Sequence, residues 1–458
     1  MTTLPADPEG PGLTAGLARL PARARETGLA PVALELAARA FIDTCGVMLA
    51  GWRESAVAML DAASPDGGEA RAFVGGRRLS AEHAARLGAM AGHVLDYDDV
   101  ALHGHPSVVL VPAILAEGQR LGAAGRDALA AYVAGFEAWV ELCRREPDSY
   151  HLSSWHPTAV LGAIAATVAV ATLNRLDAAT ARNAIAIAAS LASGVIANFG
   201  AHAKPLQAGH AAANAIEAVR LARAGLTGAA GALESEHGLM LGVSPLRRVD
   251  LKTPVRLPEA PHEWRLVEQG LSVKRYPVCY ASHRVIDAVI QLRQETGLLA
   301  GEVARVTASL ARAPAVTLRF DHPRTGLEAK FSLQHAVAAA LIDGAVGFAQ
   351  VTDGYVARPE VAALYPLTRV QIVEDEPCPD QPGLARHDRV LIELRDGRRL
   401  DSGPIRYARG QARAPLSAAE LSAKFLDCAA HGGVPHPERL LQALQQLETL
   451  PSLRELTA

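Results

Sequence analysis

The sequence predicts a mainly α protein, a large all-helical domain with a smaller α+β lid domain inserted into it. Three observations carry this. From about Gly12 to Val243, apolar residues recur every three or four positions, with Gly or Pro between the segments. Near Trp264 the pattern changes to short alternating runs, one of them folded back at Asp396-Gly397. From Ser417 the helical spacing returns. The predicted domains are therefore 12–267 with 406–458, discontinuous and helical, and 268–405, the α+β lid. A chain of 458 residues has room for two or three domains and a sizeable core.

In chain order, helices are predicted over 32–50, 81–95, 128–142, 159–173, 178–196 and 211–224. Half of the residues are hydrophobic but only 4% are aromatic, so the apolar half is mostly Ala, Val and Leu. Such faces let neighbouring helices approach closely. Segments 159–173 and 178–196 are apolar on nearly every side, which suits the centre of a bundle or a subunit contact. In the lid, 303–310, 316–320 and 370–373 read as strands and 333–343 as a helix. Residues 390–394 and 399–401 read as a hairpin about the Asp-Gly turn. Ser417 with Glu420 reads as a capping box that opens the tail helix.

The charge balance excludes several function classes. With 45 basic and 48 acidic side chains, net −3, the chain lacks the basic footprint of a nucleic-acid binder. Residues 1–12 have neither the basic start nor the apolar core of a signal peptide. The most apolar run, 159–173, is too short for a membrane span. Cys45, Cys143, Cys279, Cys378 and Cys428 lie far apart, with no disulfide framework and no zinc or iron–sulfur spacing. No glycine-rich phosphate loop precedes a helix. The expectation is a cytoplasmic protein in a reducing compartment, with no membrane or nucleic-acid partner.

Chemistry concentrates in a few segments. His105-Pro106-Ser107-Val108-Val109-Leu110 and His156-Pro157-Thr158-Ala159-Val160-Leu161 share one pattern, His-Pro-hydroxyl-apolar-apolar-Leu. Proline suits the first position of a helix, so each motif would set an imidazole at the positive end of an apolar helix, where anions bind. Between His93 and His105 stand three carboxylates and three imidazoles. One reading is acid–base chemistry, with Asp96 carried off a buried helix face into a cleft. The alternative is a metal-dependent hydrolase built on Asp96, Asp99, His103 and His105. Asp98 and Asp99 also suit a helix end trimmed with solvated acids. Of the 45 basic residues only Lys204, Lys252, Lys274, Lys330 and Lys424 are lysines. Arginine does not release its proton, whereas a desolvated lysine can take part in proton transfer. Lys204 and Lys274 stand in unusual contexts, Lys252 and Lys424 read as bias, and Lys330 is undecided. Cys279 with His283 lacks an oxyanion-hole signature, which argues against a nucleophilic cysteine.

Together, the segments 93–99, 104–112, 154–161, 198–212, 274–287 and 325–333 resemble the MmgE/PrpD family, in the family's order. That family includes 2-methylcitrate dehydratase, cis-aconitate decarboxylase and iminodisuccinate epimerase. The epimerase branch looks closest, through Gly-His-Pro-Ser at 104–107, Trp155-His156-Pro157-Thr158 and Cys279-Tyr280-Ala281. The resemblance implies a helical domain with an α+β lid, a homodimer, and chemistry without metal or organic cofactor. It implies a lyase (hydro-lyase) or an isomerase acting on a small di- or tricarboxylate by proton abstraction next to a carboxylate. By position it implies catalytic roles for Asp96, His105, His156, Lys204 and Lys274. Ser107, Thr158, Cys279 and His283 would contact the substrate. Val100 stands where many members have Thr, and Cys279 where decarboxylase-like members have a further histidine, which counts against decarboxylation.

Overall fold

Helices dominate because alanine and glycine let them pack closely, and the two arms of the chain use this differently. A computed structural model describes residues 12–374, 377–378 and 381–456. The expected lack of a signal peptide therefore concerns a stretch that lies almost wholly outside the described residues. Contacts divide the chain into two units. The first takes the chain up to Val94, Ala101–Leu271 and the tail from Ala419; the second takes Leu95–Val100 and Ser272–Ala418.

In the first unit, α1 (Pro31–Gly51), α2 (Ala81–His93), α3 (Ser107–Leu121), α4 (Gly125–Arg144) and α5 (Pro157–Leu173) form the bundle. Every residue of α5 is buried, as its all-round apolar surface predicts. Glycines set the close crossings. A Cβ at Gly162 would lie 3.0 Å from the Val109 side chain, and one at Gly92 2.8 Å from that of Val108.

Two helices differ from expectation. The segment 178–196 is helical only over α6 (Ala178–Leu191), which is buried at Ala181 and all round from Ala184 to Ala188 but not at its two ends. It stops where Ala192 turns to an extended backbone, φ −65° and ψ 127°, ahead of Gly194 at φ +134°. The helix expected from 211 begins earlier, as α7 (Ala203–Arg223). Pro205 is tolerated there because it falls in the first turn, where its missing N–H has no partner to lose. Further along, Gly209 lets α7 approach α2, since a Cβ would lie 2.6 Å from the Arg86 carbonyl oxygen.

The second unit carries α8 (His283–Thr296), β1 (Val303–Leu310), α9 (Leu333–Asp343), β2 (Thr368–Ile372), β3 (Arg389–Leu394) and β4 (Arg399–Asp401). The sheet order is β2-β1-β3-β4. β1 runs parallel to β2 and antiparallel to β3, with Val306 opposite Ile392. Strand β1 buries Val306, Ala308 and Leu310 on alternate positions. The hairpin β3–β4 turns through Gly397 at φ +90°, as its Asp-Gly signal predicts. Ser332 caps α9 by accepting the His335 N–H. The strand expected at 316–320 is absent: Arg312–Thr317 is a short helix with Pro314 in its first turn, and Val316 is 68% exposed.

The tail helix Ala418–His431 carries a further correction. Lys424, read as compositional bias, is buried and lies 2.6 Å from the carboxylate of Asp43 on α1. Among the described residues, no helix is long and apolar enough to cross a membrane.

Candidate active site

Both His-Pro motifs open helices of the first unit. Pro157 takes the first position of α5 with His156 as its cap, and Pro106 caps α3 with His105 just before it. The starts of α3 and α5 are tied together, because the His105 N–H donates to Thr158 Oγ1 at 3.2 Å. Gly104 is required beside them, since a Cβ would lie 2.7 Å from that hydroxyl. Ser107 and Thr158 have no exposed surface, and the Ser107 and Tyr132 hydroxyls are 2.7 Å apart. Both hydroxyls therefore brace the helix starts in this structure.

Imidazoles gather around these helix starts. The His93 ring stacks on His156, centroids 5.6 Å apart and planes 19° apart, and meets His105 edge-on at 4.9 Å. Phe199 forms the next wall, 5.0 Å from His156 and 5.9 Å from His151. The buried ammonium of Lys204 lies over the same Phe199 ring at 5.2 Å, a cation–π distance. His103 packs edge-on against Tyr150 at 5.4 Å. Burial, helped by His93 and by the positive charge of Lys204, holds His156 well below the usual imidazole range. It is therefore neutral at pH 7 and can act as a base. Its Nδ1 lies 2.8 Å from Gln207 Oε1, and Gln207 Nε2 donates to the Val195 carbonyl at 3.0 Å.

In the second unit, Asp96 and Lys274 form a buried ion pair. Asp96 has φ +53°, a left-handed conformation that aspartate tolerates better than most side chains. That backbone brings two acceptors onto one ammonium: Lys274 Nζ donates to the Asp96 carbonyl at 2.6 Å and to Oδ2 at 2.8 Å. The pair is held from behind, since Val100 and Ser272 exchange backbone hydrogen bonds at 2.8 and 3.1 Å and the Tyr97 hydroxyl donates to the Arg275 carbonyl. Asp98 and Asp99 are not solvated helix-end acids; neither has exposed surface. The chain leaves α2 at His93 and at once enters the second unit, so these acids fall inside the fold.

Cys279 donates its backbone N–H to the Lys330 carbonyl at 2.8 Å. His283 starts α8 with no exposed surface, between the Tyr276 and Tyr280 rings at 5.1 and 5.0 Å.

Of the residues expected from sequence, the structure thus brings together His105, His156 and Lys204, with Ser107 and Thr158 behind them. It pairs Asp96 with Lys274, and it seats Cys279 and His283 in the second unit, His283 within that unit's core. Sequence alone assigned no site roles to His93, His151, Phe199 and Gln207. The one available signal was proximity: His151 precedes His156 by five residues, and Phe199 and Gln207 flank Lys204.

The N-terminal domain model of the MmgE/PrpD family matches residues 16–252, and its C-terminal domain model matches 276–449. Cis-aconitate decarboxylase of Homo sapiens is 29% identical over 362 residues, 76% of this chain and 72% of its own length. The mouse enzyme of the same name is also 29% identical, over 360 residues, with the same coverage. A cis-aconitate decarboxylase-like protein of Aspergillus oryzae is 26% identical over 435 residues, 88% of this chain and 87% of its own. With both domain models matched in order over most of its length, this chain is a lyase-type enzyme and belongs to the MmgE/PrpD family.

Proposed function

We propose that this enzyme acts on a small tricarboxylate by proton transfer at a carbon next to a carboxylate. The observation that carries the reading is a neutral, buried His156 beside the Lys204 ammonium, at the positive end of the apolar helix α5. A base must be unprotonated near working pH, and a carboxylate substrate needs cations and helix-end donors to hold it. His156 meets the first need; Lys204 and the starts of α3 and α5 meet the second.

Asp96 is a weaker choice of base, because its carboxylate already accepts a hydrogen bond from Lys274. Its better role is to orient the Lys274 ammonium within the second unit. At Asp96 Oδ2 an ammonium already occupies the place a cation would take, so Asp96 itself is no metal ligand in this arrangement.

The step after proton transfer names the reaction. Loss of hydroxide makes a dehydratase, loss of carbon dioxide a decarboxylase, and return of the proton to the other face an epimerase. The cis-aconitate decarboxylases among its relatives favour a tricarboxylate lyase, while the Cys279 segment keeps the epimerase branch in view.

The test is proton NMR in D₂O with cis-aconitate, citrate, 2-methylcitrate and iminodisuccinate in turn, EDTA present throughout. Deuterium is expected at a carbon next to a carboxylate with at least one acid, and the product identifies the branch. Silence with every acid, and activity only after metal is added, would overturn the reading.

A further inference from the structure

We infer that Gln207 is a positioning residue that fixes His156 as the Nδ1–H tautomer, leaving the lone pair on Nε2. The inference deepens the proposed function, because it says which nitrogen of His156 is available to take the substrate proton.

The geometry follows from donor and acceptor rules. A backbone carbonyl only accepts, so the Gln207 atom facing the Val195 carbonyl at 3.0 Å is the amide nitrogen. The amide oxygen therefore faces His156 Nδ1 at 2.8 Å. An amide oxygen also only accepts, so Nδ1 carries the proton and donates. One short loop anchors both partners: the His156 N–H donates to the Gly194 carbonyl at 3.0 Å, and Trp155 bridges to Val195. The loop needs glycine at 194, since φ is +134° and a Cβ would lie 2.8 Å from the Ala159 Cβ and 3.2 Å from Gln207 Oε1.

Gln207 lies three residues beyond Lys204 on α7, so both point from one helix face. A single helix thus presents the ammonium and the group that orients the imidazole. An amide is suited to this task. A carboxylate on Nδ1 would favour the imidazolium, whereas an amide orients the ring without adding charge. The other titratable groups facing His156 are His93 from α2, His105 from the start of α3, and Lys204 from α7, and all of them disfavour a positive ring.

The experiment joins two readouts. Long-range ¹H–¹⁵N spectra of the histidine-labelled full chain, with His156 assigned by its loss in His156→Gln, report the tautomer without any substrate. The expected result is Nδ1–H in the native protein and a mixture of tautomers in Gln207→Leu. In Gln207→Glu, the acid limb of the kcat/KM profile is expected to move up by about one pH unit or more. Turnover lost on the acid side of the profile should then recover at higher pH, with KM little changed. A native His156 protonated on Nε2, or an unmoved acid limb in a folded Gln207→Glu protein, would overturn the inference. If the variants do not fold, the native spectrum alone decides it. Full turnover in His156→Gln would sink His156 as the base, and the spectrum would still decide the role of Gln207.

Discussion

Where α4 meets Arg265, buried charges face their opposites, whereas around Phe199 a buried lysine is surrounded by imidazoles. At the first place, Arg145 donates to Glu141 Oε1 at 2.9 Å and to the carbonyls of Asp250 and Thr253 at 2.9 and 2.8 Å. Arg265 pairs with Glu141 from the other side, and its backbone N–H donates to Glu137 at 2.7 Å. At the second, Lys204 and His156 share the Phe199 ring, and His93 stacks behind. Both clusters belong to the helical unit. The first satisfies its charges internally and acts as scaffold. In the second, burial and a neighbouring ammonium keep His156 neutral, an arrangement that costs stability and favours an arriving anion.

The contrast can be broken or sharpened by four measurements. The largest effect is expected at the imidazole cluster: His156→Ala or Lys204→Ala should lower turnover by about a hundredfold or more, with thermal stability unchanged or raised. Near-normal rates in both variants would erase the distinction between the clusters. Next comes Glu141→Ala, which leaves Arg145 and Arg265 buried without that carboxylate. It should cost about 3–5 kcal/mol in denaturant unfolding, while the folded fraction keeps its turnover. A loss below about 1 kcal/mol would mean that the network is not a scaffold.

Third, the clusters should tilt stability with pH in opposite directions. Burial pushes the Glu137 carboxyl up to about 7, against the attraction of Arg265. The unfolded chain releases that proton near 4.5, so this group's contribution falls as pH rises from about 4.5 to 7. His156 is held below its ordinary value, so the unfolded chain binds more protons below about 6.5. Its contribution to stability therefore falls as pH drops below that value. Unfolding free energies measured across pH 4–8 should lose the first slope in Glu137→Gln and the second in His156→Gln. Slopes unchanged in both variants would contradict the assignment.

The smallest effect concerns the Asp96–Lys274 pair. Asp96→Asn keeps the shape and removes the charge that orients Lys274, so turnover should drop about tenfold while the acid limb of the pH profile stays in place. A displaced acid limb would instead make Asp96 the base.

Much of this was legible before the fold was known. The Ala-rich periodicity placed α1, α2, α4 and α5 within a few residues, because a buried helix must repeat its apolar face. The Asp-Gly turn marked the β3–β4 hairpin, and the rarity of lysine singled out Lys204 and Lys274. Other features were hidden for definable reasons. Lys424 resembles a surface lysine until Asp43, hundreds of residues away in sequence, is found beside it. Asp98 and Asp99 look like solvated helix-end acids, yet the chain carries them into the second unit. Gln207 carries no sequence signal beyond its nearness to Lys204. Its role depends on two contacts, one to Val195 and one to His156, that spacing along the chain does not encode.

Local rules therefore determined which residue types this chain sets apart and which segments become helix or strand, since periodicity, capping and turn chemistry act over a few residues. Tertiary structure decided which of those residues meet. It paired Lys274 with Asp96, gathered four further side chains around His156, and turned Gln207 toward its ring. Burial gave these contacts their force, because only inside a packed fold does a neighbouring charge or amide fix the protonation of an imidazole.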